Sequence, residues 1–135
     1  MLSEALGLWT TVKPYSGFPC QTIAWRLLPA IEAGKCRLFH RDGECVGLIT
    51  WSFMTSEEFE TRVYDGSEIF VRDDGDCLVC VDLIAPHGRK DVVWICREMR
   101  RLFAELYPWV ETVHAHRGKG TGVFPNAGVW HEDVS

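Results

Sequence analysis

Apolar positions recur every three to four residues from Arg89 to Tyr107, where Val92, Ile95, Cys96, Met99, Leu102, Phe103 and Leu106 form one helical stripe. Lys90, Arg97, Arg100 and Arg101 lie largely off that stripe, and Pro108 marks the end of the predicted helix. Directly upstream the pattern changes. Leu78 to Ala85 is apolar and of strand length except for one carboxylate, Asp82, which predicts a central strand buried on both faces. Pro86 and Gly88 then turn that strand into the helix. Cys36–His40 and Cys45–Phe53 read as two strands joined by Arg41–Glu44, whose Asp42-Gly43 pair is a hairpin signal.

The remaining elements are shorter. Leu2–Trp9 reads as a turn or two of helix, Thr10–Pro19 as a loop, and Gln21–Ala33 as a helix bent at Pro29 and stopped by Gly34. Thr55 followed by Glu57 and Glu58 predicts a capped short helix over Ser56–Val63, closed by Asp65-Gly66. Glu68–Arg72 and Trp109–His116 read as strands, Arg117–Gly122 as a Gly-rich loop, Val123-Phe124 as a short strand and Ala127–Trp130 as the last strand candidate. Hairpins followed by one strand–helix–strand unit imply an α+β chain with a mixed central sheet and helices on both faces, in a single domain over residues 1–135.

Composition supports a packed core: 47% of 135 residues are hydrophobic, including six tryptophans and seven phenylalanines. A net charge of -5 speaks against a general nucleic-acid binder. No apolar run reaches membrane length and the N-terminus lacks a basic flank, so the expectation is a cytoplasmic protein with no membrane span. Six cysteines are scattered through apolar runs without a second paired motif, which predicts reduced, mostly buried thiols rather than a zinc site or disulfide framework.

Asp82 is the first candidate for chemistry, because a carboxylate inside a buried strand carries a desolvation cost that calls for a partner or a function. The strand, turn and helix start at Pro86–Lys90 could hold an anionic group at Gly88, Arg89 and Lys90. His87, five residues after Asp82, is a second candidate for proton transfer, against the alternative of an exposed loop histidine. His114 and His116 fall on one face of a strand, but no third metal ligand accompanies them. Arg117-Gly-Lys119-Gly lacks the Gly-Lys-Ser/Thr ending of a nucleotide phosphate loop.

Leu28-Pro-Ala-Ile31, Arg41-Asp42, Trp51, Gly75-Asp76 and the run Asp82-Leu-Ile-Ala-Pro-His-Gly88 together resemble the RTX toxin-activating lysine acyltransferases, from about Leu8 to Gly128. The resemblance implies a GNAT-like acyltransferase fold. It also implies transfer of a fatty acyl group from acyl carrier protein to a lysine amino group of a protein substrate, with no metal and no tightly bound cofactor. The donor is acyl-acyl carrier protein or, as the lesser option, acyl-CoA. Asp82 takes the role of the family's catalytic aspartate. The position of the family's catalytic histidine is Tyr15 here, and no histidine precedes His40. Tyr15 or His87 would then assist Asp82, while Gly88, Arg89 and Lys90 receive the donor's phosphate and the basic helix face meets the carrier protein. Two other readings stay open: a catalytically silent binding module that inhibits or scaffolds a partner, and a small-molecule acetyltransferase using acetyl coenzyme A. A homodimer is compatible with all three.

Overall fold

A computed structural model describes residues 27–64, 68–72, 75–117 and 120–126. Residues 27–32 are helical. They lead into β1 (Cys36–Arg41), β2 (Glu44–Met54), α1 (Ser56–Thr61), a 3-10 turn (Glu68–Phe70), β3 (Cys77–Ile84), α2 (Arg89–Leu106), β4 (Thr112–Arg117) and β5 (Gly120–Pro125). The five strands lie side by side in the order β1-β2-β3-β4-β5. Only β3 and β4 pair in parallel, joined by α2 as the crossover, so the sheet is mixed as the hairpin-then-crossover pattern predicts.

The sheet is packed on both faces. On one, Ile95, Met99 and Phe103 of α2 meet Ile49, Trp51, Phe53, Leu78, Cys80 and Val113. The Trp51 ring stands edge-on to Phe103 at 5.3 Å and its indole N–H donates to the Tyr107 hydroxyl at 2.9 Å. Gly47 lets α2 come this close: a Cβ there would lie 2.2 Å from Ile95 Cδ1. On the other face, Ala30, Phe59, Ile69 and Phe70 cover Cys36, Met54, Cys77 and Val79.

Helix α1 starts as expected. Thr55 Oγ1 accepts from the Glu58 N–H at 3.1 Å and Glu58 accepts from the Thr55 N–H at 3.0 Å, a reciprocal capping box, while Arg72 pairs with the same carboxylate at 2.5 Å. These donors, Arg72 first, hold the Glu58 carboxyl below the usual range. Its stabilising contribution is therefore full above the unfolded carboxyl pKa of about 4.3 and fades as the pH falls through the folded value. Glu58→Gln is expected to melt below wild type at pH 7, with the two thermal midpoints converging as the pH drops below about 4.

Three expectations are corrected. Glu68–Arg72 is not a strand: Ser52 Oγ donates to the Ile69 carbonyl at 2.6 Å, and the buried Lys35 ammonium donates to the Phe70 and Arg72 carbonyls at 2.9 and 3.0 Å. Side chains thus take the carbonyls that a ladder would use. The Trp109–His116 strand begins only at Thr112, because the Val110 N–H closes a turn on the Tyr107 carbonyl around Pro108, leaving Trp109 exposed. The expected Gly-rich loop Arg117–Gly122 is instead largely strand, paired from Thr112↔Pro125 to Arg117↔Gly120. Leu2–Trp9, Thr10–Pro19, the first six residues of the Gln21–Ala33 helix, and Ala127–Trp130 lie outside the described residues.

Candidate active site

The site is organised by an irregularity in β3. Along its first half, side chains alternate normally: Leu78 and Cys80 face α2, while Cys77, Val79 and Val81 face the opposite cluster. Against β2, however, Cys80 pairs with Trp51 and Asp82 pairs with Thr50, so two steps on β3 match one on β2 and Val81 is the extra residue of a β-bulge. Beyond it, Leu83 and Ala85 pack toward α2. The bulge turns Asp82 away from the helix face, where strict alternation would put it, and onto the face that carries Thr50 and Cys36.

There the Thr50 hydroxyl donates to Asp82 Oδ2 at 2.7 Å, and Asp82 is buried at 3% exposure. Cys36 stands across from Thr50 in β1. Burial, and then the Asp82 charge, pushes the Cys36 thiol up to about 11; the same causes raise the more deeply buried Cys80 further. Both thiols stay protonated at neutral pH, which removes them as nucleophiles. Among the described cysteines none is in a disulfide. Because Thr50 fixes one carboxylate oxygen, Thr50→Val is expected to leave the fold standing and to lower the turnover of any reaction that uses Asp82 about tenfold at unchanged KM, as steady-state kinetics would show.

The same level of the sheet is where β3 and β4 part. They pair only through Leu78↔Val113, Val79↔His114 and Cys80↔Ala115, although β3 continues to Ile84 and β4 to Arg117. A bulge bends its strand, so the opening begins where Val81 is inserted. Crevices beyond the carboxyl ends of parallel strands are the usual ligand position in open sheets.

At the top of β3, Gly88 has φ 120° and ψ -175°, a conformation open essentially to glycine alone. A Cβ there would touch nothing within 4 Å, so the requirement is conformational rather than steric. Gly88→Ala is expected to cost about 1–3 kcal/mol in denaturant unfolding and to misdirect the first turn of α2. That turn is anchored by the buried Asp91, paired with Arg41 from the hairpin, whose guanidinium also lies 5.0 Å over the Trp94 ring. Arg89 and Lys90 are exposed beside Gly88 and make no ion pair among the described residues.

The structure thus brings Asp82, the strand opening and the Gly88–Lys90 turn onto one strand–helix unit. His87 is exposed, with Nε2 3.6 Å from Glu44, and so faces the hairpin. Tyr15 lies outside the described residues. His114 and His116 both pack on Phe59, His116 stacked at 4.6 Å with Nε2–H donating to the Phe59 carbonyl at 2.8 Å. Burial holds the His114 ring below the ordinary imidazole range. Sequence reasoning missed Thr50 and the roles of Arg41 and Asp91. Only an in-register pairing of β2 with β3 could have pointed to Thr50.

A sequence profile of the RTX toxin acyltransferase family matches residues 1–122. Similar proteins include the leukotoxin-activating lysine-acyltransferase LtxC of Aggregatibacter actinomycetemcomitans, 27% identical over 90% of this chain and 71% of the relative. The protein-lysine myristoyltransferase RtxC of Kingella kingae is 28% identical over 77% of this chain and 62% of its own length. The RTX-I toxin-activating lysine-acyltransferase ApxIC of Actinobacillus pleuropneumoniae is 31% identical over 76% of this chain and 60% of its own. The chain therefore spans between 60% and 71% of the length of these relatives. Among solved structures, the GphF GNAT-like decarboxylase in complex with isobutyryl-CoA superposes with a TM-score of 0.60 at 17% identity, over 84% of this chain and 60% of that one. The loading GNATL domain of CurA from Lyngbya majuscula gives 0.60 at 14% identity, over 84% and 58%. These likenesses establish the GNAT-like fold.

Proposed function

Because the chain belongs to the RTX toxin acyltransferase family, we propose that it transfers an acyl group from acyl carrier protein, or from an acyl coenzyme A thioester, to a lysine amino group of a protein. The observation that carries this reading is Asp82: buried, held by Thr50 on the face to which the Val81 bulge turns it, and two residues beyond the last β3–β4 pair. A lysine is protonated at neutral pH and must lose a proton before it can attack a thioester. Asp82 accepts that proton. The neutral amine forms the C–N bond, the tetrahedral centre collapses with loss of the C–S bond, the departing sulfur takes a proton, and the second proton that the nitrogen sheds on becoming an amide restores the group that gave it. Tyr15, at the position that the family resemblance gives to a histidine, is the first proposed donor of the sulfur's proton, and His87 the second, once its exposed ring swings from Glu44 toward the thioester. Gly88, Arg89 and Lys90 receive the donor's phosphate at the start of α2, where unpaired backbone N–H groups and the helix dipole favour an anion. The acyl group is a long hydrocarbon chain, in keeping with the Kingella kingae relative named for myristoyl transfer.

A second reading is favoured by one feature, Tyr15 in place of the histidine: a silent relative that binds and inhibits or scaffolds a partner. Incubating the protein with acyl-acyl carrier protein and a series of acyl coenzyme A donors, in the presence of an RTX toxin as acceptor, separates the two. Thiol release together with an acylated acceptor lysine supports transfer. A folded protein that binds the acceptor but releases no thiol from any donor supports the binding module.

A further inference from the structure

Where α2 crosses β5, Cys96, Met99, Arg100 and Phe124 line a pocket of about 200 Å³. Met99 and Phe124 are apolar, Cys96 behaves as a small hydrophobe, and Arg100 has a methylene stem. The register fixes the pocket's position relative to the site. Phe124 pairs with Val113, which pairs with Leu78, and the last β3–β4 pair is Cys80–Ala115. The pocket is thus two residues, about 7 Å, below the level at which the strands part. It is on the α2 face, since Met99, Cys80 and Val113 share one core cluster with Phe124 packed against it.

We propose that this pocket seats the hydrocarbon chain of the acyl donor, running down between α2 and β5 on the helix face, with the thioester in the strand opening, through which it reaches the opposite face that carries Asp82. The proposal rests on the acyl-transfer reading. Burial of a hydrocarbon chain requires an apolar concavity beside the reacting carbonyl. Two other cavities among the described residues lack this character. The 540 Å³ groove between β1 and α2 sets Arg37, Glu98, Arg101 and Glu105 around Phe39 and Leu102, and the 390 Å³ hollow beside Trp109 includes Asp76 and Glu111. A chain in the first would strip water from four charged groups and in the second from two, whereas Arg100 is the one charged group lining the pocket beside Phe124. Position 96 then sets how much chain the pocket takes, because a side chain larger than cysteine at this half-buried position fills it from its α2 wall.

The test measures equilibrium binding of non-transferable S-alkyl pantetheine thioethers, from ethyl to tetradecyl, to wild type, Cys96→Trp and Cys96→Ala. Wild type and Cys96→Ala are expected to gain about fourfold in affinity for each methylene buried. Cys96→Trp should stop gaining at a shorter chain while binding the ethyl compound as wild type does, which also shows that it is folded. A Cys96→Trp profile that follows wild type to the longest chain, or a wild type indifferent to chain length, would overturn the proposal. Chain-length-dependent binding without transfer from any donor would leave the pocket standing and count against the enzyme reading alone.

Discussion

Replacing Gly75 by alanine is expected to lower the unfolding free energy by about 3 kcal/mol, at the upper end of the overpacking range, because the obstruction is backbone. A Cβ at this position would lie 2.3 Å from the Met54 amide nitrogen and 2.4 Å from its Cα and carbonyl carbon. A rotamer change cannot relieve a contact with main-chain atoms. Either the end of β2 or the start of β3 must shift, and Met54 pairs with Cys77 only two residues further on. Met54 itself is fully buried, so the movement would spread into the core on that face. Denaturant unfolding of Gly75→Ala is the measurement, and a midpoint within error of wild type would contradict the close approach. The Gly75 of the family-like Gly75-Asp76 pair is therefore explained by packing: it lets β3 begin against the backbone of β2.

Helix α2, the β1–β2 hairpin and β3 were legible in the sequence because each rests on a local signal. These are a three-and-four apolar stripe, an Asp-Gly turn and an unbroken apolar run. What failed depended on partners far along the chain. Ile69 and Phe70 look like strand residues, yet Lys35 and Ser52, from other segments, capture the carbonyls around them. The glycines between Arg117 and Gly122 suggest a loop, yet β4 supplies them with a ladder. Asp82 was identifiable as a buried carboxylate in a strand. Its direction was not, since a period of two carries no mark of the bulge at Val81 that reverses the face. The Thr50 contact follows from that reversal and was hidden with it.

The largest effect on activity is expected from Asp82→Asn. Asparagine keeps the size of aspartate and can still hydrogen-bond Thr50, so β3 should hold its register, but it cannot take a proton from an ammonium. Loss of a positioned general base lowers rates by about 10²–10⁴-fold. The substitution also removes a charge that helps to hold the Cys36 thiol near 11. The thiol of the variant should therefore titrate lower than in wild type yet stay above the ordinary range through burial, an internal check that the site is folded. The most direct measurement is single-turnover transfer from a bound acyl donor to an acceptor lysine, wild type against Asp82→Asn. A rate reduced at least about a hundredfold with donor affinity retained is the expected result. Transfer by Asp82→Asn at the wild-type rate would contradict Asp82 as the base.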